Sequence, residues 1–513
     1  MSPLLETRAG QSKSAFTNTV SLVSSSSSQP FSIYDLNNTL AALNSANGTK
    51  TKILVDSSGN IYIFGAYGSK QKDNVVKLDR TGAVVWQKEF FLTGQYYVHN
   101  LFDAVIDSSD SIYILGSYYG ASTYPPSQYV TVRRIDTSGN LIWERQIYAS
   151  ASTTGNQPLE YSINLDPSGN VYIVGSLKTS SQTTSGNPWT YLAKLTGTTG
   201  AVVWEKTVNN GTSGKIAISP ITGYAYFCSN TSNSGIKCEI LGLNQSTGSP
   251  IVGGTYTMIN TGMTDHSDVR INSSTGILYS AGVSSTTSGT IRVMTIDPTY
   301  LGSSTGFTGY PLCFSIDNTN AWTTPYPGYP YYSQGTSAWN LYSGQSAVYI
   351  TSAFNTYFAT SASSGSAAPY NSALMLTKFD GTGAVSWCKK ITFDVISTSS
   401  SYQITCTGIT EDEVNKTLYV TVIAIMSTGY KYYLFTLPTD GHIIGTYALN
   451  GVNITIANQD YLAGVTDVWT TISGTSANIV APTSVSSNAA TTTTFAATAA
   501  NLTSVAATVS LGT

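Results

Sequence analysis

Short apolar runs rich in β-branched and aromatic residues, each opened by a polar turn, recur along most of the chain. Three copies set the pattern: Asp56-Ser-Ser-Gly-Asn-Ile-Tyr-Ile-Phe-Gly65, Asp107-Ser-Ser-Asp-Ser-Ile-Tyr-Ile-Leu-Gly116 and Asp166-Pro-Ser-Gly-Asn-Val-Tyr-Ile-Val-Gly175. Each reads as turn, then strand. The Asp side chain caps the turn, a Gly or Asn takes positive φ, and the run that follows has strand propensity. About one hairpin later stands a second element, Val75-Val-Lys-Leu-Asp-Arg-Thr-Gly-Ala-Val-Val-Trp86, with counterparts that end at Trp143, Trp204 and Trp387. It predicts strand, tight turn, strand. With the apolar stretch before each turn (Ile53-Leu54-Val55, Ala104-Val105-Ile106, Ile163-Asn164-Leu165), every unit supplies four antiparallel strands.

The same frame continues more loosely, so that Tyr62, Tyr113, Tyr172, Tyr226, Tyr279, Tyr349 and Tyr419 align at successive separations of 51, 59, 54, 53, 70 and 70 residues. A four-stranded propeller blade takes roughly 40 to 50 residues, so these periods fit blades that carry loop insertions. One such sheet has two faces to bury and cannot do so alone, whereas a ring of sheets packs face to face around an axis. The prediction is therefore an all-β, seven-bladed β-propeller of four-stranded antiparallel blades, spanning 33–466 with repeats over about 51–449. Segments 291–296 and 432–437 serve as the third strands of the fifth and seventh blades. The units read as complete between Thr51 and Leu449, and no strand exchanged between the ends is evident.

The D-x-S-G-N-h-Y-h-h-G turn and strand, followed by K-h-D-x-x-G-x-h-h-W, is similar to the bacterial β-propeller repeat often labelled SBBP. The resemblance covers about 51–449. It is strongest in the first three units and the sixth; the fourth, fifth and seventh lose the Trp and the Asp-Gly turn. The opening Leu5-Glu-Thr-Arg-Ala-Gly-Gln-Ser-Lys-Ser-Ala-Phe16 and the Ala/Thr/Ser tail look like flanks of such repeats in virion proteins of tailed phages, marine ones especially. That resemblance implies a structural component of a particle.

Composition bears on the same choice. Only 10% of residues are charged and the net charge is -3, so there is no basic face to neutralise a row of phosphates, and nucleic acid is not an expected partner. The five cysteines follow no metal or redox spacing and read as small strand residues, with Cys228 and Cys238 placed to face each other across a hairpin. No run is apolar enough to span a bilayer, and the opening has no apolar core of signal-peptide length. The Ser, Thr, Gly, Asn and Tyr content is that of an extracellular adhesin. A virion protein made in the host cytoplasm and released by lysis meets both observations.

Outside the repeats, 1–32 reads as a flexible anchoring arm and 467–513 as a tail, free of Asp, Glu, Lys and Arg after Asp467, that becomes ordered by pairing with other chains. The aromatic insertion between the fifth and sixth units holds Trp322, Tyr326, Tyr329, Tyr331, Tyr332 and Trp339, and a smaller cluster holds Tyr118 and Tyr119. Such rings stack on sugars or anchor protein interfaces, and equally pack loops onto the body. His99, His266 and His442 fall in different units outside any metal or nucleophile motif, and the Asp turns lack the acids of a calcium loop. Neither a metal nor a cofactor is expected. The resulting expectation is a non-enzymatic tail fibre, spike or tail-tip protein that binds a host surface polysaccharide or receptor, joined to itself and to other virion proteins. The alternatives are a cellular surface or secreted propeller acting as scaffold or lectin, and a propeller glycan hydrolase for which Asp265-His266-Ser267-Asp268 is a candidate.

Overall fold

A computed structural model describes residues 31–36, 52–67, 72–90, 97–120, 128–149, 162–177, 189–208, 213–231, 237–249, 256–259, 265–284, 290–296, 313–316, 346–364, 371–381, 385–394, 404–426, 429–449 and 451–458, with three short strands at 479–480, 485–486 and 492–493. Every regular element among these residues is a strand, and all pairings are antiparallel. They form seven sheets. The first runs Lys52–Val55, Ile61–Tyr67, Lys72–Leu78, Val84–Phe90, and the second Tyr97–Ile106, Ile112–Gly120, Gln128–Ile135, Leu141–Ala149. The third to sixth sheets repeat this order, beginning at Ser162, Ser213, Asp265 and Ser346. In the seventh, Ile404–Asp412, Thr417–Met426 and Gly429–Pro438 come in order, and the fourth strand is Ser32–Asp35.

The first strand of each sheet lies against the first strand of the next, and Ile404–Asp412 lies against Lys52–Val55. Apolar side chains fill the seams. Phe64, Val75 and Phe90 of the first sheet meet Ala104, Ile112 and Ile114 of the second. Val130 and Val132 of the second meet Ile163, Val171 and Ile173 of the third. Tyr419, Ile423 and Leu434 of the seventh meet Ile61, Ile63 and Val76 of the first. Neither face of such a sheet can be left to water, and stacking buries both. Sheets of four antiparallel strands stacked on their neighbours about their first strands make a β-propeller. No helix in the described residues is long and apolar enough to cross a membrane.

The ends depart from the sequence expectation. Ser32–Asp35 is an exchanged strand: Ser32 stands opposite Thr436 and Asp35 opposite Tyr433, and the Thr436 hydroxyl donates to the Ser32 carbonyl at 3.0 Å. A four-residue strand without a turn motif carries no readable repeat. The segment expected to complete the seventh unit instead forms the hairpin Gly445–Leu449 and Val452–Asn458, which adds to the outer edge of the sixth sheet with Ile456 opposite Ile391. Ile479–Val480, Val485–Ser486 and Thr492–Thr493 join the outer edges of the fourth, third and second sheets in that order.

One repeat alignment also changes. Tyr349 lies on a first strand, Ser346–Ile350, and the residue equivalent to Tyr62 is Tyr357 on the second strand Thr356–Ser364. The turn between them has Thr351 in place of Asp and Phe354, at φ 62°, in place of Gly. Thr351 still closes it, since Phe354 N donates to the Thr351 carbonyl at 3.0 Å and Asn355 N to the Thr351 hydroxyl at 3.0 Å. A bulky residue at positive φ is strained. Here the Phe354 ring stacks on Tyr279 of the fifth sheet, with centroids 4.2 Å apart.

Candidate functional site

The repeated polar residues converge on the seams between sheets. In the first sheet the Asp56 carboxylate accepts from Ser58 N at 3.0 Å, Asn60 N at 2.8 Å, Asn60 Nδ2 at 2.8 Å and the Tyr62 hydroxyl at 3.1 Å, with Lys77 Nζ at 3.3 Å. Burial and the Asp56 charge push the Tyr62 phenol up, so it remains a donor. Lys77 Nζ and Trp86 Nε1 then both donate to the Thr137 carbonyl of the second sheet, at 3.3 and 3.0 Å. Arg134 Nη1 and Trp143 reach the Gly197 carbonyl of the third sheet at 3.1 and 2.9 Å, Lys194 and Trp204 reach Gln245 of the fourth at 3.1 and 3.0 Å, and Lys378 and Trp387 reach Thr439 of the seventh, both at 3.0 Å. The indole also covers a glycine of that next turn. A Cβ at Gly200 (φ 66°) would come within 2.7 Å of the Trp143 ring. The Asp, Tyr, Lys and Trp of the repeat are thus a latch from one sheet to the next.

A second polar set lies on the first strands, four residues before each turn. Lys52, Asp103, Ser162, Lys215 and Asp268 occupy this position in the first five sheets, and Ala347 and Gly408 in the last two. Lys52 Nζ stands 2.8 Å from Asp103 Oδ1, while the Ser162 hydroxyl and Lys215 Nζ stand 3.0 and 3.7 Å from Oδ2. One carboxylate therefore ties four sheets together. Burial alone would raise the Asp103 pKa, but Lys52 and Lys215 outweigh it and hold the group at about 2. A carboxylate so acidic is a poor proton acceptor near neutral pH. Bulges at Leu101/Asp103, His266/Asp268 and Cys406/Gly408 fall at this position in three sheets. A bulge re-aims the side chain beside it. The signal for this set is a polar residue just ahead of the apolar run in the first five sheets.

The tight turns occupy one end of the sheets, and the second-to-third and fourth-to-first connections leave from the other. Tyr118 and Tyr119 lie on Ile112–Gly120 where that strand reaches the second end. Strands Cys313–Ile316 and Ser346–Ile350, which bracket the aromatic insertion, end and begin there too. Trp322, Tyr326, Tyr329, Tyr331, Tyr332 and Trp339 themselves lie outside the described residues, as do the side chains of Tyr118 and Tyr119.

His99 and His266 fall on first strands, with side chains outside the described part, and His442 is exposed on a turn with Nδ1 3.2 Å from Asp440 Oδ2. Asp268 of the hydrolase candidate accepts from Ile350 N at 2.8 Å and from Val269 N at 2.9 Å. No group of three or more His, Cys, Asp or Glu among the described residues could hold a metal ion. Cys228, Cys388 and Cys406 are buried; Cys228 stands opposite Ile240, with Cys238 opposite Asn230, so the two do not stand opposite each other in the register.

No protein-family profile matches the chain, and no curated protein sequence does. Among solved structures it is similar to the Dos1 propeller, at 11% identity over 76% of this chain and 79% of that one, with TM-score 0.39. It is similar to the periplasmic gluconolactonase PpgL of Pseudomonas aeruginosa, at 11% identity over 79% of this chain and 99% of that one, with TM-score 0.40. A Trypanosoma rangeli sialidase mutant with trans-sialidase activity matches at 8% identity over 78% of this chain and 57% of that one, with TM-score 0.37.

Proposed function

We propose that the seven sheets are the blades of a closed seven-bladed propeller, and that the protein is a non-enzymatic structural component of a tailed-phage particle. It serves there as a tail fibre, spike or tail-tip part that binds a host surface glycan or receptor, with its terminal segments joining it to itself and to other particle proteins. The succession of first-strand contacts, which returns from Ile404–Asp412 to Lys52–Val55, supports this blade number. One observation carries the functional reading: the polar residues of the repeat are engaged in latches between sheets, and the axial carboxylate is held ionised by two lysines. Recognition then falls to the loops, where the sequence concentrates Tyr and Trp in an otherwise charge-poor chain. Aromatic rings give rigid contact area and stack on the apolar faces of sugars.

Replacing both Tyr331→Ala and Tyr332→Ala in the intact particle tests this reading. Adsorption to host cells is expected to fall about tenfold, the effect of losing roughly 1.4 kcal/mol of binding, while the melting temperature of the purified protein stays unchanged. Unchanged adsorption, or absence of the protein from washed particles, would overturn it.

A further inference from the structure

After Pro438 the chain stops adding sheets and turns back along the outer edges of those already made. Its hairpin covers the sixth sheet; then Ile479–Val480 pairs with Tyr256–Ile259, Val485–Ser486 with Val202–Val208, and Thr492–Thr493 with Leu141–Ala149. The register sets Val480 opposite Tyr256, Ser486 opposite Thr207, and Thr492 opposite Ile147. Each of these last contacts is two residues long.

A two-residue pairing forms very few backbone hydrogen bonds, each contributing about 1 kcal/mol net. Ordering the backbone costs about 1–2 kcal/mol per residue. The tail is therefore held weakly at each edge. Its sequence also lacks what usually keeps strands from pairing indiscriminately: after Asp467 there is no charged side chain, and Thr, Val, Ala and Ser dominate. The three acceptor strands are copies of one repeat position, so the same donor chemistry fits each of them. The edges of a second copy are identical to these, and nothing in the register tells its own edge from a neighbour's.

We infer that Leu141–Ala149, Val202–Val208 and Tyr256–Ile259 are strand-acceptor edges for the C-terminal segment of a second copy of this chain, so that copies associate by exchanging tails. The inference rests on the self-association part of the proposal above and is independent of glycan recognition. Two full-length single variants, Thr207→Cys and Ser486→Cys, are mixed, oxidised and run on a non-reducing gel beside the unaltered chain and the Thr207→Cys/Ser486→Cys double variant. Exchange predicts a disulfide-linked dimer from the mixture, carrying one copy of each variant by mass, that neither single variant nor the unaltered chain gives. A cross-link in the double variant that stays within single chains, with only monomer from the mixture, overturns the inference. So does failure of both to cross-link. Adsorption of particles is measured separately, so a failure here leaves the receptor reading standing.

Discussion

Between the second and third sheets, Arg134 and Trp143 reach the Gly197 carbonyl while Asp107 accepts from Tyr113 at 3.2 Å. Between the sixth and seventh, Lys378 and Trp387 reach Thr439 in the same way, but the turn has Thr351 where the acid would stand, and an acid comes from the opposite side as Glu411, beside Tyr357. Among the described residues the seam from the seventh sheet to the first has no indole; the Tyr34 ring sits over Gly82, where a Cβ would come within 2.3 Å of it. The early seams and the late ones thus share a contact geometry and differ in the residues that supply it. What is repeated is a place to be filled: a ring over a turn, a cation and a donor on one carbonyl, an acid near a tyrosine.

The largest test of this equivalence is truncation of the rings. Trp143→Ala empties a buried seam and is expected to destabilise by about 3–5 kcal/mol, measured by urea unfolding. Tyr34→Ala removes a smaller ring from a short strand and is expected to lose less. An equal or greater loss for Tyr34→Ala would show that closure depends on the stand-in more than the early seams depend on Trp.

The next effect is electrostatic and has opposite signs in the two regions. The folded pKa of Asp103, about 2, lies below its ordinary 3.8, so its contribution is present above that value and is lost as pH falls toward 2. The difference corresponds to about 2 kcal/mol. Glu411 goes the other way. Burial pushes its carboxyl above the ordinary 4.5, and Tyr357 and Lys378 only partly offset this. The folded state binds that proton more tightly, so its contribution is present at low pH and is lost as pH rises through the folded value. Melting temperatures across pH 2–7 are expected to lose acid sensitivity in Asp103→Asn and to improve at neutral pH in Glu411→Gln. A parallel shift of both curves would break the distinction.

The smallest effect concerns the turns. Asp110 takes φ 60° where its counterparts have Gly, and its carboxylate accepts from Ser57 N at 2.9 Å and the Ser57 hydroxyl at 2.6 Å. Glu413 does the same for Ser352 N, at 2.8 Å, and for the Ser352 hydroxyl. Ser57→Ala and Ser352→Ala each remove one donor at an exposed site, and each is expected to cost about 1 kcal/mol or less. A much larger loss in one of them would mark its turn as the weaker seam.

Much of this architecture was legible because turn chemistry is local. An Asp that caps, a Gly at positive φ and a continuous apolar strand lie within ten residues, and Asp56 through Gly65 states them all. What could not be read is non-local. Phe354 replaces Gly because Tyr279, from another sheet, supports it. Glu411 replaces an acid from across a seam, and Ser32–Asp35 finds its partner 404 residues away. Lys52 and Asp103 look like strand-opening residues until neighbouring sheets bring them together. The aromatic candidates, Trp322 through Trp339, rest on composition alone and lie outside the described residues.

The strand Ser32–Asp35 is made among the first residues of the chain, and its partner Gly429–Pro438 among the last of the sheets. During synthesis the growing stack is an open arc, and Ser32–Asp35 can take its place in the seventh sheet only once residue 438 has emerged. Thereafter the pairing of Ser32–Asp35 with Gly429–Pro438, inside the seventh sheet, is where the two ends of the stack are held together by hydrogen bonds and packing, and a pull on the molecule meets its clasp there.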